Sequence, residues 1–500
     1  MSTLLSEPRI EEVNPPGYVA EGVDNPHHKQ RWLILGVLGI AQLMVILDGT
    51  IVNIALPSAQ HALKFSNADR QWVVTAYALA FGSLLLLGGR IADTIGRKRA
   101  LMIGLVGFAG ASAIGGFAQN FTMLVSARAV QGAFGAILAP SILSLLSTTF
   151  TDSGERNRAF SIYGAIAGAG GAIGLLLGGV LTSYASWRWT LFVNVAFAAI
   201  DLPFAFKLLH NQRATERHRL DYAGIGTVTL GLFALVYGVS HAETASWSNS
   251  TTIGSLVAAA VLLASFVLVE LRVSSPVLPL RVILDRNRGA SLLVLFTASG
   301  GMFGVFLFLT YYLQEVLGYS PVRTGLAFLP MVAALALMAQ VANRVVLPKV
   351  GPKPLATVGM IVAALGLYLF TKIGLHTAYT SHILVDLLIT GAGLGLAFPT
   401  ALNTGTLGVS PADAGVSSAM VNTAQQIGGS VGTALLNTLS ASAATSFLLG
   451  HRGMAQLAAH AEVHSYTTAF GYGAAFFAAG AIIAALLFRN GVAEGEAVPV

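Results

Sequence analysis

Two residues in this sequence carry charge where charge is hardest to keep. Asp48 stands in VILDGTIVNIALP and Arg128 in SARAVQGAFGAILAP, each within an apolar run. A carboxylate inside hydrocarbon costs about 2.5–3.5 kcal/mol on insertion scales, so it must line a cavity, pair or hold a proton. Burial favours the protonated form and a neighbouring cation the ionised one, so one such acid can exchange protons near neutral pH as its surroundings alternate. The competing reading is a permanently protonated acid, or one that bonds backbone near Gly49 and supports a bend. Arg128 cannot deprotonate; it can hold Asp48, a substrate acid or backbone carbonyls, or snorkel to the membrane surface. Gln131, one turn further on, is a polar candidate on the same face.

A second concentration of charge is GGRIADTIGRKR, where Gly88 to Arg99 hold five charged residues in twelve while the whole chain is 10% charged. Arg90, Lys98 and Arg99 suit a topological anchor. Asp93 does not, and it can pair with Arg97 or meet the positive N-terminal end of another helix. The segment NRVVLPKVGPKP echoes the cluster with Arg344, Lys349, Gly351 and Lys353 at comparable offsets, but without the acid. Glycines 164, 168, 171, 174 and 178 recur at three- and four-residue intervals, forming one smooth helix face for close packing. They miss the dinucleotide fingerprint, since Ile173 stands at its third glycine position.

Asp201 and Asp386 read as interfacial acids. Asn53, Gln131, Tyr311, Tyr312, Gln314, Glu315 and Asn403 are candidates for lining a cavity. His451, His460 and His464 fall in the last outer loop; the last two have the spacing of a helical metal pair, but no third ligand accompanies them, and solvated histidines are expected. The chain has no cysteine, which removes disulfides, thiolate chemistry and Cys-based metal sites. No GxxxxGK[ST] loop is present, so the expected energy source is an ion gradient rather than ATP, and buried acids suit protons better than a sodium cage. No cofactor or resident metal is expected, and no catalytic constellation points to an enzyme.

Such residues need a scaffold that lies in lipid. Side chains are 55% hydrophobic and the mean hydropathy is +0.72, whereas soluble domains carry about 25% charge. The net charge of +6 is explained by basic loops of a membrane protein rather than by nucleic acid. Fourteen apolar spans are predicted, all α-helical. The first eight cover 32–57, 70–91, 99–118, 122–147, 160–183, 187–209, 220–241 and 252–272. The remaining six cover 289–316, 323–347, 354–374, 380–406, 415–440 and 467–489, with NTGTLGVSPADAG interrupting the pattern between the twelfth and thirteenth. The first span is too long for a signal-peptide core and is expected to remain in the protein.

An even count places both termini on one side. Of the 28 Lys and Arg residues, only Lys64, Arg70, Arg188, Arg323, Lys372 and Arg452 fall on the opposite loops, and Arg128 lies within a span. The positive-inside rule therefore places the termini in the cytoplasm, and Trp72, Trp187, Trp189 and Trp247 near the outer surface. The expected organisation is a disordered cytoplasmic tail (1–28), an N-terminal six-helix bundle (29–209), a linker with a transmembrane hairpin (210–288), a C-terminal six-helix bundle (289–490) and a short cytoplasmic tail (491–500). Paired helical blocks suggest a transporter with its site at the repeat interface.

Taken in order, these motifs resemble the fourteen-span drug:proton antiporters of the major facilitator superfamily, from about residue 30 to 490. GGRIADTIGRKR is similar to that superfamily's loop between spans 2 and 3, with Gly89, Asp93, Gly96, Arg97 and Lys98 on matching positions. LDGTIVNIALP resembles the span 1 motif, and RAVQG the span 4 motif whose arginine is implicated in proton coupling. The glycine face, ending in GLLLGG, resembles the antiporter motif of span 5, although that motif usually has proline where this chain has Leu175. The resemblance implies two six-helix bundles rocking about a central cavity, a multidrug exporter in the cell membrane that works as a monomer, proton coupling at Asp48 and Arg128, and a latch at Asp93 and Arg97. A same-fold importer or lipid exporter is the alternative that Leu175 favours.

Overall fold

The computed structural model describes residues 30–150, 152–210, 221–273, 276, 278, 283–407, 414–451 and 454–491. The expected N-terminal tail, residues 492–500 of the C-terminal tail, residues 211–220, 274–275, 277 and 279–282 of the linker, and residues 408–413 of the break after the twelfth span lie outside the described residues. Within them the chain forms fourteen long helices: α1 (Arg31–Leu63), α2 (Gln71–Ile95), α3 (Arg97–Gly116), α4 (Phe121–Thr149), α5 (Ser153–Tyr184), α6 (Trp189–Leu208) and α7 (Tyr222–Ala245), followed by α8 (Ser250–Glu270), α9 (Arg286–Tyr311), α10 (Pro321–Val341), α11 (Pro352–Leu369), α12 (Leu384–Thr406), α13 (Ala414–Gly450) and α14 (Leu457–Leu487). Each begins within a few residues of a predicted span except α5 and α14, which extend into polar sequence. His460 and His464 consequently belong to α14 rather than to a loop.

Twelve of these helices are long and apolar enough to cross a membrane; α2 and α13 lie outside that set. The chain is thus a multi-pass membrane protein. The apolar pattern of α13 is interrupted by Asn422, Thr423, Gln425, Gln426, Thr433, Asn437 and Thr438, of which the last three are buried within the protein. Several starts are fixed by side-chain caps on otherwise orphaned N–H groups. Asn120 accepts from the Met123 amide (2.9 Å), Asp152 from that of Glu155 (2.8 Å) and Asp285 from that of Arg288 (3.0 Å).

The two six-helix blocks repeat one packing pattern. In the first, α1 packs on α4, α5 and α6, α4 on α2 and α3, and α3 on α6; in the second, α9 packs on α12, α13 and α14, α12 on α10 and α11, and α11 on α14. The turns between α2 and α3 and between α10 and α11 match as well. Each uses a glycine at positive φ, Gly96 (98°) and Gly351 (77°), a conformation other residues reach only with strain. The echo of the charge cluster in NRVVLPKVGPKP is therefore structural.

Across the pseudo-twofold, α2 packs on α13 and α5 on α10, and the α7–α8 hairpin covers the α2/α13 seam through α7. The two ends of the molecule differ. At the end remote from the termini, the far end, α5 and α10 touch: the Val322 amide donates to Ser183 Oγ (3.3 Å), and a Cβ on Gly179 would meet Pro321 and Val322. Toward the near end they part. Gly164, Gly168 and Gly171 share a helix stripe with Leu175 and Gly179, yet a Cβ on any of the three would meet no atom within 4 Å. The bundles are closed at the far end and separated along α5 at the near end.

This corrects the expectation of a single packed glycine face. Gly174 and Gly178 do pack, against Leu47, Thr50 and Ile51 of α1, and Gly170 joins them against Ile46; Gly164, Gly168 and Gly171 point elsewhere. Five glycines at mixed intervals of three and four thus fall on two stripes, Gly174 and Gly178 packed on α1 and Gly164, Gly168 and Gly171 facing open space. Leu175, in the position where the antiporter motif usually carries proline, is fully buried and its carbonyl abuts Gly325 of α10.

Candidate functional site

Asp48 and Arg128 are brought together at the centre of the first bundle. Arg128 Nη1 donates to Asp48 Oδ2 at 2.6 Å, with the side chains 2% and 0% exposed respectively. Snorkelling is thereby excluded for this arginine. The same Nη1 donates to Gln131 Oε1 (2.7 Å), and Nε to the carbonyl of Val73 (3.1 Å). The Tyr77 ring covers the guanidinium, 4.3 Å from its centroid. Asp48 Oδ1 accepts from Gln131 Nε2 (2.7 Å) and from Asn194 Nδ2 (2.8 Å), and both amides also donate to Ser112 Oγ at 2.8 Å.

Helices α1, α2, α3, α4 and α6 each contribute to this network. Its position follows from spacing: Arg128 and Gln131 lie three residues apart and so share a face of α4, which α2 and α3 both pack against. A buried ion pair is weak grounds for stability, because desolvation offsets much of its attraction. Retaining one with this many partners points instead to a working role. On its far side lies a small pocket lined by Val52, Ala55, Val73, Leu124, Trp187 and Arg128 itself.

Other predicted residues are placed differently. Asn53 is buried and donates to the Gly49 carbonyl of its own helix (3.0 Å). Tyr311 and Gln314 join the two bundles at the far end: Tyr311 Oη donates to Gln60 Oε1 (2.5 Å) and Gln314 Nε2 to the Ile54 carbonyl (3.0 Å). Asn403 is exposed in the near half of α12 and donates to Asn343 Oδ1 (2.9 Å). Asp201 and Asp386 are both buried within the protein, 0% and 5% exposed. Both carboxylate oxygens of Asp201 are buried without a hydrogen-bond partner among the described residues.

In the charge cluster, Lys98 Nζ donates to the Phe206 carbonyl at the end of α6 (2.6 Å), and Arg90 donates to the Pro276 carbonyl (3.1 Å). The side chain of Asp93 lies outside the described residues. His451 and His464 pack against Phe447, and no group of three or more His, Cys, Asp or Glu residues suited to a metal occurs among the described residues.

Sequence reasoning missed Ser112, Asn194 and Tyr77, and it counted Arg70 as an ordinary loop cation. Asn194 had left a signal, a lone amide within WTLFVNVAFAAI. Serine and tyrosine are too common in membrane helices for Ser112 and Tyr77 to have done so. Arg70 is 3% exposed, a position that only the packing of the second bundle creates.

Comparison with known proteins places this architecture. The chain matches the Major Facilitator Superfamily over residues 38–433 and belongs to that family of transporters; it is not an enzyme. It is 43% identical over 490 residues to the puromycin resistance protein of Streptomyces alboniger, covering 97% of this chain and 96% of that one. It is 38% identical over 408 residues to the cephamycin export protein of Amycolatopsis lactamdurans, covering 80% and 83% of the two chains. With the tetracenomycin C resistance and export protein of Streptomyces glaucescens it shares 35% identity over 421 residues, covering 82% and 76%. A mutant form of the nucleoside transporter NupG has the same fold, with a TM-score of 0.64, 12% identity and coverage of 92% of this chain and 100% of that one.

Proposed function

We propose that this protein is a proton-coupled exporter of small amphipathic compounds of the antibiotic class, working by alternating access. The observation that carries the reading is the fully buried Asp48–Arg128 pair, held inside one bundle with no room for a bulky ligand. Protonating Asp48 removes the charge that Arg128 Nη1 meets at 2.6 Å, so proton uptake and a rearrangement of α1 against α4 are one event. Relatives named for puromycin resistance and cephamycin export supply the substrate class.

In this reading α2 and α13 also span the membrane, making fourteen spans, and the near end with both termini faces the cytoplasm. The separated near end is then the side from which substrate enters, and Asp93 with Arg97 closes it in the opposite state. The partners are the amphipathic substrate, protons and membrane lipid; the protein acts as a monomer in the cell membrane and needs no cofactor. In inside-out vesicles with an acidified lumen, labelled puromycin should accumulate, and Asp48→Asn should abolish the dependence on the gradient. Gradient-driven uptake that persists in Asp48→Asn removes Asp48 from the mechanism. Asp93→Asn should slow uptake without changing insertion.

A further inference from the structure

The far-end closure contains a buried cation that meets no carboxylate. Arg70, at the start of α2 in the first bundle, is 3% exposed and makes no ion pair among the described residues. Its guanidinium instead sits among three aromatic rings of the second bundle: Tyr311 at 4.4 Å from the centroid, Phe308 at 5.4 Å and Tyr466 at 5.7 Å. Nε donates to Asn437 Oδ1 of α13 at 3.3 Å. Rings of this kind attract a cation through their π faces, most strongly where water is excluded. Among the described residues, the rings and the amide that meet the guanidinium come from α9, α13 and α14, so the socket belongs to one bundle and its occupant to the other.

The socket also has a negative rim. Glu462 of α14 is half-buried and lies one turn before Tyr466 on the same helix. Glu315 bonds His61 of α1 at 3.0 Å across the bundles. When the bundles part at the far end, Arg70 leaves with α2, while the three rings, the Asn437 oxygen and the two carboxylates stay together. What remains is an aromatic cage with acidic neighbours, a site for an ammonium or similar organic cation and not for an anion.

We propose that this socket is a far-side binding site for the cationic group of a transported compound, and that Arg70 is a tethered competitor that refills it when the far end closes. The proposal rests on the alternating-access reading above. A tethered cation at the same site lowers the apparent affinity of a free one by the fraction of time it occupies the socket, so re-closure ejects the ligand outward.

The test is equilibrium binding to the full chain in nanodiscs without any gradient. The probes are tetraphenylphosphonium, a cation, and triphenylphosphine oxide, a neutral compound of related shape. Arg70→Leu should tighten tetraphenylphosphonium binding about tenfold relative to the neutral probe, because a tethered cation worth roughly that much no longer competes. Arg70→Lys, which keeps a tethered cation, should show no such gain, and adding Tyr311→Leu to Arg70→Leu should remove it. A gain shared equally by both probes means that Arg70 only holds the far end shut, and overturns the proposal, as does a gain that survives Tyr311→Leu. Lost expression of Arg70→Leu leaves Arg70→Lys with Tyr311→Leu and Tyr466→Leu, each of which should then weaken the cation selectively; unchanged selectivity in both also overturns it. Binding needs no proton gradient, so failure of the proton-coupling reading would appear in the vesicle experiment and not here.

Discussion

Replacing Asp48 by asparagine changes one atom and almost no volume, so its effect on stability reports the charge and hydrogen-bond pattern alone. Oδ2 of Asp48 accepts from Arg128 Nη1 at 2.6 Å, and Oδ1 accepts from Gln131 Nε2 at 2.7 Å and Asn194 Nδ2 at 2.8 Å. All three neighbours are donors. Whichever way the Asn amide turns, its NH2 opposes at least one of them, and Gln131 cannot flip in compensation because its Oε1 already accepts from Arg128. At least one charge-assisted hydrogen bond is lost, about 1.5–3 kcal/mol. The buried guanidinium keeps only Gln131, the Val73 carbonyl and the Tyr77 ring, and breaking one side of a buried pair typically costs about 3–5 kcal/mol in all.

Asp48→Asn should therefore lower the free energy of unfolding by about 3–5 kcal/mol. Arg128→Met should do likewise, because it leaves the carboxylate with two amide donors and no cation. In the double variant the Asn NH2 no longer faces a guanidinium, and the amide oxygen can still accept from Gln131 and Asn194. The double variant should be no less stable than the worse single, which requires a coupling at least as large as the smaller single effect, about 3 kcal/mol. Reversible unfolding in mixed micelles, at one pH for all four proteins, measures this cycle. Single effects that add to within about 0.5 kcal/mol would refute the claim that these residues act as a unit.

Three further outcomes follow from the packing. Gly174→Val should fold poorly, because its side chain would collide with Thr50 and Leu47 of α1, whereas Gly168→Val, with nothing within 4 Å, should express normally yet transport slowly by obstructing near-end closure; equal expression of the two would contradict the two-stripe assignment. Because the chain has no cysteine, Ser183→Cys with Val322→Cys can be oxidised without background, and the cross-link should form readily, stop transport and be reversed by reductant. Gly96→Ala should cost about 1–3 kcal/mol, since φ of 98° with ψ of 140° suits only glycine; a neutral thermal shift would argue that the α2–α3 turn adjusts freely.

How far the sequence could be read depended on whether one helix or several determine an environment. The all-helical, multi-pass character was legible because lipid imposes its length on each helix separately, although only twelve of the fourteen helices are long and apolar enough to cross a membrane. Asp48 and Arg128 stood out for the same reason, as charges in single apolar runs. Their partners did not: Ser112 and Asn194 acquire meaning only once α3 and α6 close around α1. The glycine run misled in an instructive way, since intervals of three and four leave open which of two adjacent stripes each residue joins. Arg70 was hidden altogether, because its burial comes from Tyr311, Asn437 and Tyr466, more than two hundred positions away in the chain. Loop exposure was the natural expectation for a cation beside Asp69.

One detail of the buried network bears on how this chain can evolve. The Val73 carbonyl that accepts from Arg128 lies on the same turn of α2 as Arg70, whose own carbonyl accepts from the Val73 amide at 3.4 Å. The centre of the first bundle and the far-end socket are thus linked through a single turn of α2. Substitutions from Arg70 to Val73 should be strongly epistatic with those around Arg128, so that lineages altering substrate range at the socket must revise both neighbourhoods together or neither.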